Sequence, residues 1–345
     1  MRVLLVSTCA IRLPPPGYGG IEQVLYDLAT WLNRWGHEVT VASPKGSTFP
    51  DGIAHIPTVE PTWDFDAEWA TLPVIQDRLW MEANGAQKVA FDIIHDHSMT
   101  ACMWGFAENP DIRVCRTVQG PVAPVQLSGP HPSVIACSSF LARTVSQTLG
   151  IPVERVYNGI EPSRYLFSAT KGDRYLFLGR ISSSKGVHHA VDIALRAGIP
   201  LDIVGEDRFT EDPAYVDRVR ESAKGTTARY VGPVSHEEKA RYLRDAKALL
   251  APSVWEEAFG LFVVEAGVSG VPVIALRKGG IPELVVDGKT GFLCSSVDEM
   301  VECLGKESEI DPQACREHVM QNFTAERMSK EYEGLYRRIE AGHAW

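Results

Sequence analysis

The chain has 345 residues, 45% of them hydrophobic and 23% charged, with a formal net charge of −10. Residues 1–165 carry 11 basic and 16 acidic side chains and the remainder 23 and 28, so each half is at −5, which argues against a nucleic-acid surface or a polybasic membrane face. No apolar run approaches the ~20 residues of a bilayer crossing. The seven cysteines form no C-x-x-C pair, so buried free thiols in a reducing cytoplasm are expected, and a zinc site lacks its spacing.

The opening "MRVLLVSTCA" has a short apolar core that runs at once into "PPPGYGG". It reads as a first buried strand rather than a signal peptide. Ile21, Val24, Leu25, Leu28 and Leu32 then recur at helical spacing over 21–35, with Gly36 as the stop. "EVTVAS", "FDIIHDH" (91–97) and "SVIACSS" (133–139) are further strands. Between them, residues 59–90 are rich in tryptophan and acid and read as an insertion containing a helix. Packing accounts for the tryptophans; a lid beside an acceptor pocket is the sharper alternative. A second series starts near Arg174: "RYLFLGR", "PLDIVGE", "ARYVGPV", "KALLAPS" and "VPVIAL", with helices over 186–197 and 236–246. Repeated strand–helix alternation gives parallel sheets buried on both faces. Two such series predict an α/β chain of two doubly wound, Rossmann-like domains with a cleft between them. The expected domains are 1–163 and 164–323, joined near "YNGIEPSRY". A last helix, over 324–345, is expected to return to the first domain.

Two stretches of the second series carry chemistry. In "GRISSSKG" (179–186), Arg180 and Lys185 follow a strand and precede a helix. There, free backbone N–H groups and the helix dipole add to the two cations and suit a phosphate. Two solvated surface charges are the bland alternative. In "SVWEEAFGLFVVEAG", Glu257 lies in a loop and Glu265 in the helix that follows. Gly260 lets backbone approach a ligand, so the N–H groups of Phe259, Gly260 and Leu261 suit a diphosphate. Glu265 would then meet ribose hydroxyls and Glu257 the sugar beyond the phosphates. The alternative is a helix-capping Glu and a chance surface Glu.

"GRISSSKG", the E-x7-E spacing and "GVPVIALRKGGIPELVVDGKTGFL" together closely resemble glycosyltransferase family 4, of the GT-B fold. "PPPGYGGIEQVLYDLATWLNRWGHEVTV", "DIIHDHS" and "VYNGIEPSRY" are similar to the family's start and middle, in the same order. The resemblance implies retaining transfer of a hexose-type sugar from a nucleoside diphosphate sugar, a UDP-sugar first, to a hydroxyl of a soluble acceptor. It implies a front-face reaction in which the leaving phosphate helps deprotonate the acceptor, with no protein nucleophile. Arg180 and Lys185 would bind the diphosphate, Glu257 the sugar and Glu265 the ribose. Gly19 and Gly20 would set the first domain's loop against phosphate or acceptor, and Tyr18 and His97 would line the acceptor side. Where relatives carry a His in a T-x-H-G-like stretch, "RTVQGPV" places Gln119, which hydrogen-bonds but carries no charge. The implied site holds no metal and no cofactor beyond the co-substrate.

Rival readings are weaker. Asp64 and Asp66 have D-x-D spacing but no preceding apolar strand. His95, Asp96 and His97 alternate faces on a strand, so at most two converge on a metal. "GYGGIE" lacks the G-x-G-x-x-G fingerprint of a dehydrogenase. A nucleotide-sugar epimerase of similar fold and a non-catalytic sugar-nucleotide binder keep the same cations; incubation with donor alone separates them from a transferase.

Overall fold

The computed structural model describes all residues except 84–85, 121, 123–129 and 209–211. The chain divides into two compact units: Met1–Pro15, Gly19–Gly159 and Ala325–Trp345 in the first, Pro16–Tyr18 and Ile160–Thr324 in the second. Each is an α/β unit with a parallel sheet, as in the GT-B fold.

In the first unit, the strands are β1 (Arg2–Val6), β2 (Glu38–Ser43), β3 (Ile53–Pro57), β6 (Ile93–Asp96), β7 (Val114–Val118), β8 (Ser133–Ala136) and β9 (Val153–Arg155). They pair in the order β3-β2-β1-β6-β7-β8-β9. Between β3 and β6 the chain also forms a separate antiparallel pair, β4 (Trp80–Ala83) and β5 (Ala86–Val89). Helices α1 (Gly20–Arg34), α2 (Leu72–Leu79) and α3 (Ser139–Leu149) follow in chain order. β1 is a core strand: Val3, Leu4 and Leu5 have no exposed surface, because a parallel sheet covered on both faces buries consecutive residues. Helix α1 lays Val24, Leu25, Leu28 and Leu32 into the core. Burying each such side chain contributes about 1.5–3 kcal/mol.

The second unit pairs β12-β11-β10-β13-β14-β15. These are β10 (Tyr175–Leu178), β11 (Leu201–Val204), β12 (Ala228–Gly232), β13 (Leu249–Ala251), β14 (Val273–Leu276) and β15 (Gly291–Cys294). Its helices are α4 (Val187–Ala197), α5 (Pro213–Ala223), α6 (His236–Asp245), α7 (Leu261–Val268), α8 (Val297–Glu302) and α9 (Pro312–Asn322). Helix α6 starts at a capping box in which Ser235 and Glu238 satisfy each other's backbone N–H groups. The last helix, α10 (Ala325–Glu340), belongs to the first unit. It packs on α1, burying Tyr332, Leu335, Tyr336 and Ile339, and Glu333 Oε1 lies 3.1 Å from His37 Nε2. All seven cysteines are buried free thiols. No helix is long and apolar enough to cross a membrane among the described residues.

Candidate active site

Open parallel sheets bind ligands outside the carboxyl ends of their strands, where the strand order reverses. In the second unit that reversal falls between β10 and β13. The loop after β10 carries Arg180 and Lys185, and the loop after β13 carries Glu257. Lys185 Nζ donates to both Glu257 oxygens at 2.7 Å, closing a gap of 72 residues in sequence. Glu257 is 5% exposed and also accepts from Ser253 Oγ at 2.7 Å. The two loops are tied by backbone as well. The Ser184 carbonyl accepts from the N–H groups of Val254 (3.0 Å) and Trp255 (3.2 Å) and from Ser253 Oγ (3.2 Å). From the loop after β14, Gly280 N donates to the Glu257 carbonyl at 2.7 Å and Gly279 N to Glu256 Oε2 at 2.6 Å. Lys185 and Ser253 thus hold the Glu257 carboxylate, and Gly280 holds its backbone.

Arg180 is half-buried, and its Nε is buried without a hydrogen-bond partner among the described residues. A buried, unsatisfied guanidinium N–H costs free energy unless an anion or water meets it. Helix α7 begins at Gly260, φ +110°, with no side chain capping its first N–H groups. That leaves the positive end of the dipole and uncapped donors beside the carboxylate loop. Phe259, 3% exposed, packs edge-on against Phe323 at 6.0 Å. Glu265 stands one turn into α7; its Oε1 accepts from Tyr165 OH (2.8 Å) and Lys239 Nζ (2.6 Å). Neither partner was legible in the sequence, since one lies 100 residues and the other 26 residues away. A cavity of about 450 Å³ opens at the other, amino edge of this sheet, lined by Arg174, Asp202 and Arg229. Asp202 is already held by Arg174 Nε at 2.7 Å and Arg229 Nη2 at 2.8 Å, an internal ion cluster.

The other expected site residues fall into four places. Gly19, φ +139°, caps α1, and a Cβ there would lie 2.6 Å from Pro15 Cβ, so only glycine fits; Gly20 begins the helix. Tyr18 is half-buried and groups with the second unit, where a Cβ on neighbouring Gly17 would meet the Val234 carbonyl at 2.7 Å. Gln119 follows β7 and exchanges two hydrogen bonds with Asn158, at 3.2 and 2.9 Å, so its amide is held in one orientation. His97 is not on an open surface: it is 1% exposed. Its ring lies against His95, centroids 4.0 Å apart, with Nε2 3.3 Å from His95 Nδ1. His95 in turn meets Tyr336 OH (2.6 Å) and Thr117 Oγ1 (2.7 Å). Burial, helped by the Arg116 charge, lowers the His97 pKa to about 3. The ring is therefore a neutral hydrogen-bonding group, facing inward because Tyr332 and Tyr336 of α10 cover this end of the sheet. Asp64 Oδ1 accepts from Asp66 N at 3.2 Å and caps a 3-10 turn, so that pair is engaged in local structure. No group of three or more metal-ligating side chains converges among the described residues.

Glu22, in the first turn of α1, is buried and accepts from Thr8 Oγ1 at 2.5 Å. Burial raises its pKa, and the Thr8 hydrogen bond only partly offsets that. A raised folded-state pKa contributes stability that is full below the unfolded value, about 4.3, and is lost as pH rises through the folded one. Glu22→Gln should therefore match wild type in thermal unfolding near pH 4 and exceed it increasingly toward pH 7. A difference that stays flat with pH would contradict this.

The family described as "Glycosyltransferase Family 4" matches residues 18–164, and "Glycosyl transferases group 1" matches residues 164–304. The chain is 30% identical to the lipopolysaccharide 1,2-N-acetylglucosaminetransferase of Salmonella typhimurium, covering 84% of each chain. It is 27% identical to a glycogen synthase of Mycobacterium tuberculosis, over 86% of this chain and 83% of the relative. Among solved structures it shares the fold of AviGT4, a glycosyltransferase involved in avilamycin A biosynthesis, with TM-score 0.74 and 24% identity over 100% of this chain and 99% of that one. HepE of Anabaena, solved with UDP-glucose, superposes with TM-score 0.75 at 18% identity over 97% and 99%. The chain thus belongs to glycosyltransferase family 4 and is a GT-B glycosyltransferase.

Proposed function

We propose that the chain is a retaining glycosyltransferase that moves a hexose-type sugar from a nucleoside diphosphate sugar, preferentially a UDP-sugar, to a hydroxyl of a soluble acceptor, without a divalent metal. The observation that carries this is the Lys185–Glu257 pair beside Arg180 at the strand-order reversal of the second unit. Arg180 and Lys185 neutralise the diphosphate, aided by the N–H groups of Phe259, Gly260 and Leu261 at the start of α7. Glu257, oriented by Lys185 and Ser253, accepts hydrogen bonds from the sugar hydroxyls. Glu265 meets the ribose through Oε2, its Oε1 being engaged. Charge builds on the leaving phosphate as the bond from the anomeric carbon to phosphate oxygen breaks. Cations already in place stabilise that charge with little reorganisation. The acceptor oxygen forms its bond on the same face and passes its proton to the leaving phosphate. Gln119, a neutral amide, orients and does not transfer protons. The named relatives add sugar transfer to lipopolysaccharide and glycogen synthesis, and the HepE structure adds UDP-glucose as a ligand. They support a hexose and a uridine nucleotide.

The test is thermal unfolding with UDP, GDP and ADP, followed by turnover of UDP-glucose, GDP-mannose and ADP-glucose in EDTA. A ligand at 100 times its Kd stabilises by about 2.7 kcal/mol. UDP is expected to stabilise most, and turnover to survive EDTA. Stabilisation by none of the three removes the donor site; turnover that returns only with Mg²⁺ or Mn²⁺ removes the metal-free part.

A further inference from the structure

In the second unit, β15 ends at Cys294 and the chain doubles back through α8 to Cys303. Hydrogen bonds pin the reversal at its turn. Ser296 Oγ caps α8 by accepting from Glu299 N at 3.1 Å, and Glu299 Oε2 accepts from Ser295 N at 2.7 Å. Met300, which has no exposed surface, turns one face of α8 into the core, and Val297 and Val301 pack beside it. Cys303, the residue that closes the helix, donates its N–H to the Glu299 carbonyl at 3.0 Å. The helix end thus returns to the strand end. Cys294 Sγ and Cys303 Sγ lie 3.8 Å apart, although the two residues are nine positions apart in the chain. A disulfide bond is about 2 Å long, so closure needs the sulfurs to approach by less than about 2 Å, which side-chain rotation supplies.

We infer that Cys294 and Cys303 are a reactive dithiol, which a peroxide closes into a disulfide that staples the end of β15 to the end of α8. The two thiols divide the work by access. Cys294 has no exposed surface, whereas Cys303 keeps 8% of its own. Burial, and then the neighbouring Cys303, push the Cys294 thiol above its ordinary pKa, so it stays protonated and is not the first to react. Cys303 sulfur attacks a peroxide oxygen. The O–O bond breaks, and the thiol proton leaves with the departing oxygen as water when the oxidant is hydrogen peroxide. Cys303 is then a sulfenic acid, with an electrophilic sulfur. Cys294 sulfur, already in contact, attacks it; the S–O bond breaks, the S–S bond forms, and the hydroxide takes the Cys294 proton as a second water. The two sulfurs are oxidised and one peroxide is reduced. A dithiol reductant reverses the step by exchange. The disulfide closes a short ring, from 294 to 303, and so removes freedom from the unfolded chain.

The experiment exposes the folded protein to hydrogen peroxide, unfolds it, blocks the remaining thiols with iodoacetamide and digests it with trypsin. No Lys or Arg lies between Lys289 and Lys306, so residues 290–306 come off as one peptide carrying both cysteines. In wild type this peptide is expected to be two hydrogens lighter, blocked at neither cysteine, and restored by dithiothreitol. The oxidised protein should unfold about 5 °C higher than the reduced one. In Cys294→Ala, Cys303 should instead run on to sulfinic and sulfonic acids. In Cys303→Ala, Cys294 should stay reduced. Neither variant should gain in unfolding temperature. A wild-type peptide blocked at both cysteines overturns the dithiol, as does one whose Cys303 is overoxidised to the same extent as in Cys294→Ala. Oxidation of Cys294 in Cys303→Ala overturns the order of attack, and a linked protein that unfolds no higher than the reduced one overturns the staple. The wild-type peptide is read without any substitution, so a variant that fails to fold leaves the dithiol decided.

Discussion

Lys185→Ala is expected to lower kcat/KM by about 10²–10³-fold, the effect of removing one preorganised charge-stabilising donor. It should also lower stability, because Glu257, 5% exposed, would lose its cation. Stranding a buried charge costs about 3–5 kcal/mol. Lys185 is 22% exposed in its side chain and Ser253 still donates to the carboxylate, so about 2–3 kcal/mol is expected here. The two losses separate in the double variant. Lys185→Ala with Glu257→Gln removes the stranded charge and should regain most of the stability while remaining inactive, a non-additivity expected of residues in contact. Thermal unfolding and steady-state kinetics on the two single variants and the double variant decide it. Additive stability losses would mean that the pair is not coupled in solution.

Gly186→Ala is expected to be severely damaging to the second unit. Gly186 has φ +70°, and a Cβ there would lie 1.9 Å from the Pro252 carbonyl oxygen. No real Cβ comes that close to backbone, so the loop after β10 and the loop after β13 must separate. Those are the loops that Lys185 and Glu257 join. The left-handed backbone adds strain for any residue with a Cβ. Loss of several kcal/mol and of UDP binding is expected, measured by thermal unfolding and calorimetry. Gly198→Ala is the control: it is also left-handed, at φ +63°, but with nothing within 4 Å of a Cβ, and it should cost only the backbone term, about 1 kcal/mol. Equal costs at the two positions would contradict the close approach.

How far the sequence shows this arrangement depends on the range of the interactions. Strand β1 and helix α1 are legible because burial leaves a local record: three fully buried consecutive residues and an apolar stripe at helical spacing. The strand series of the second unit is legible for the same reason. The loop positions of Arg180, Lys185 and Glu257 follow from strand–loop–helix order. Their contact does not, since 72 residues separate Lys185 from Glu257 and only the sheet order brings them together. The antiparallel pairing of β4 with β5 leaves little local record, because the two short strands alternate weakly in an acidic stretch that reads as loop and helix. The burial of His97 is likewise absent from the sequence. A histidine after a strand resembles a ligand-facing residue, but α10, more than 200 positions on, lays Tyr332 and Tyr336 against the neighbouring His95.

The most direct test of the donor-site reading is proton NMR of the reaction with UDP-glucose, comparing wild type with Arg180→Ala and Lys185→Ala. The account predicts that the sugar first appears with the α configuration of the donor, with UDP released in equal amount, and that both variants lose this by 10²-fold or more. A first product of β configuration, or variants that turn over at the wild-type rate, would contradict it.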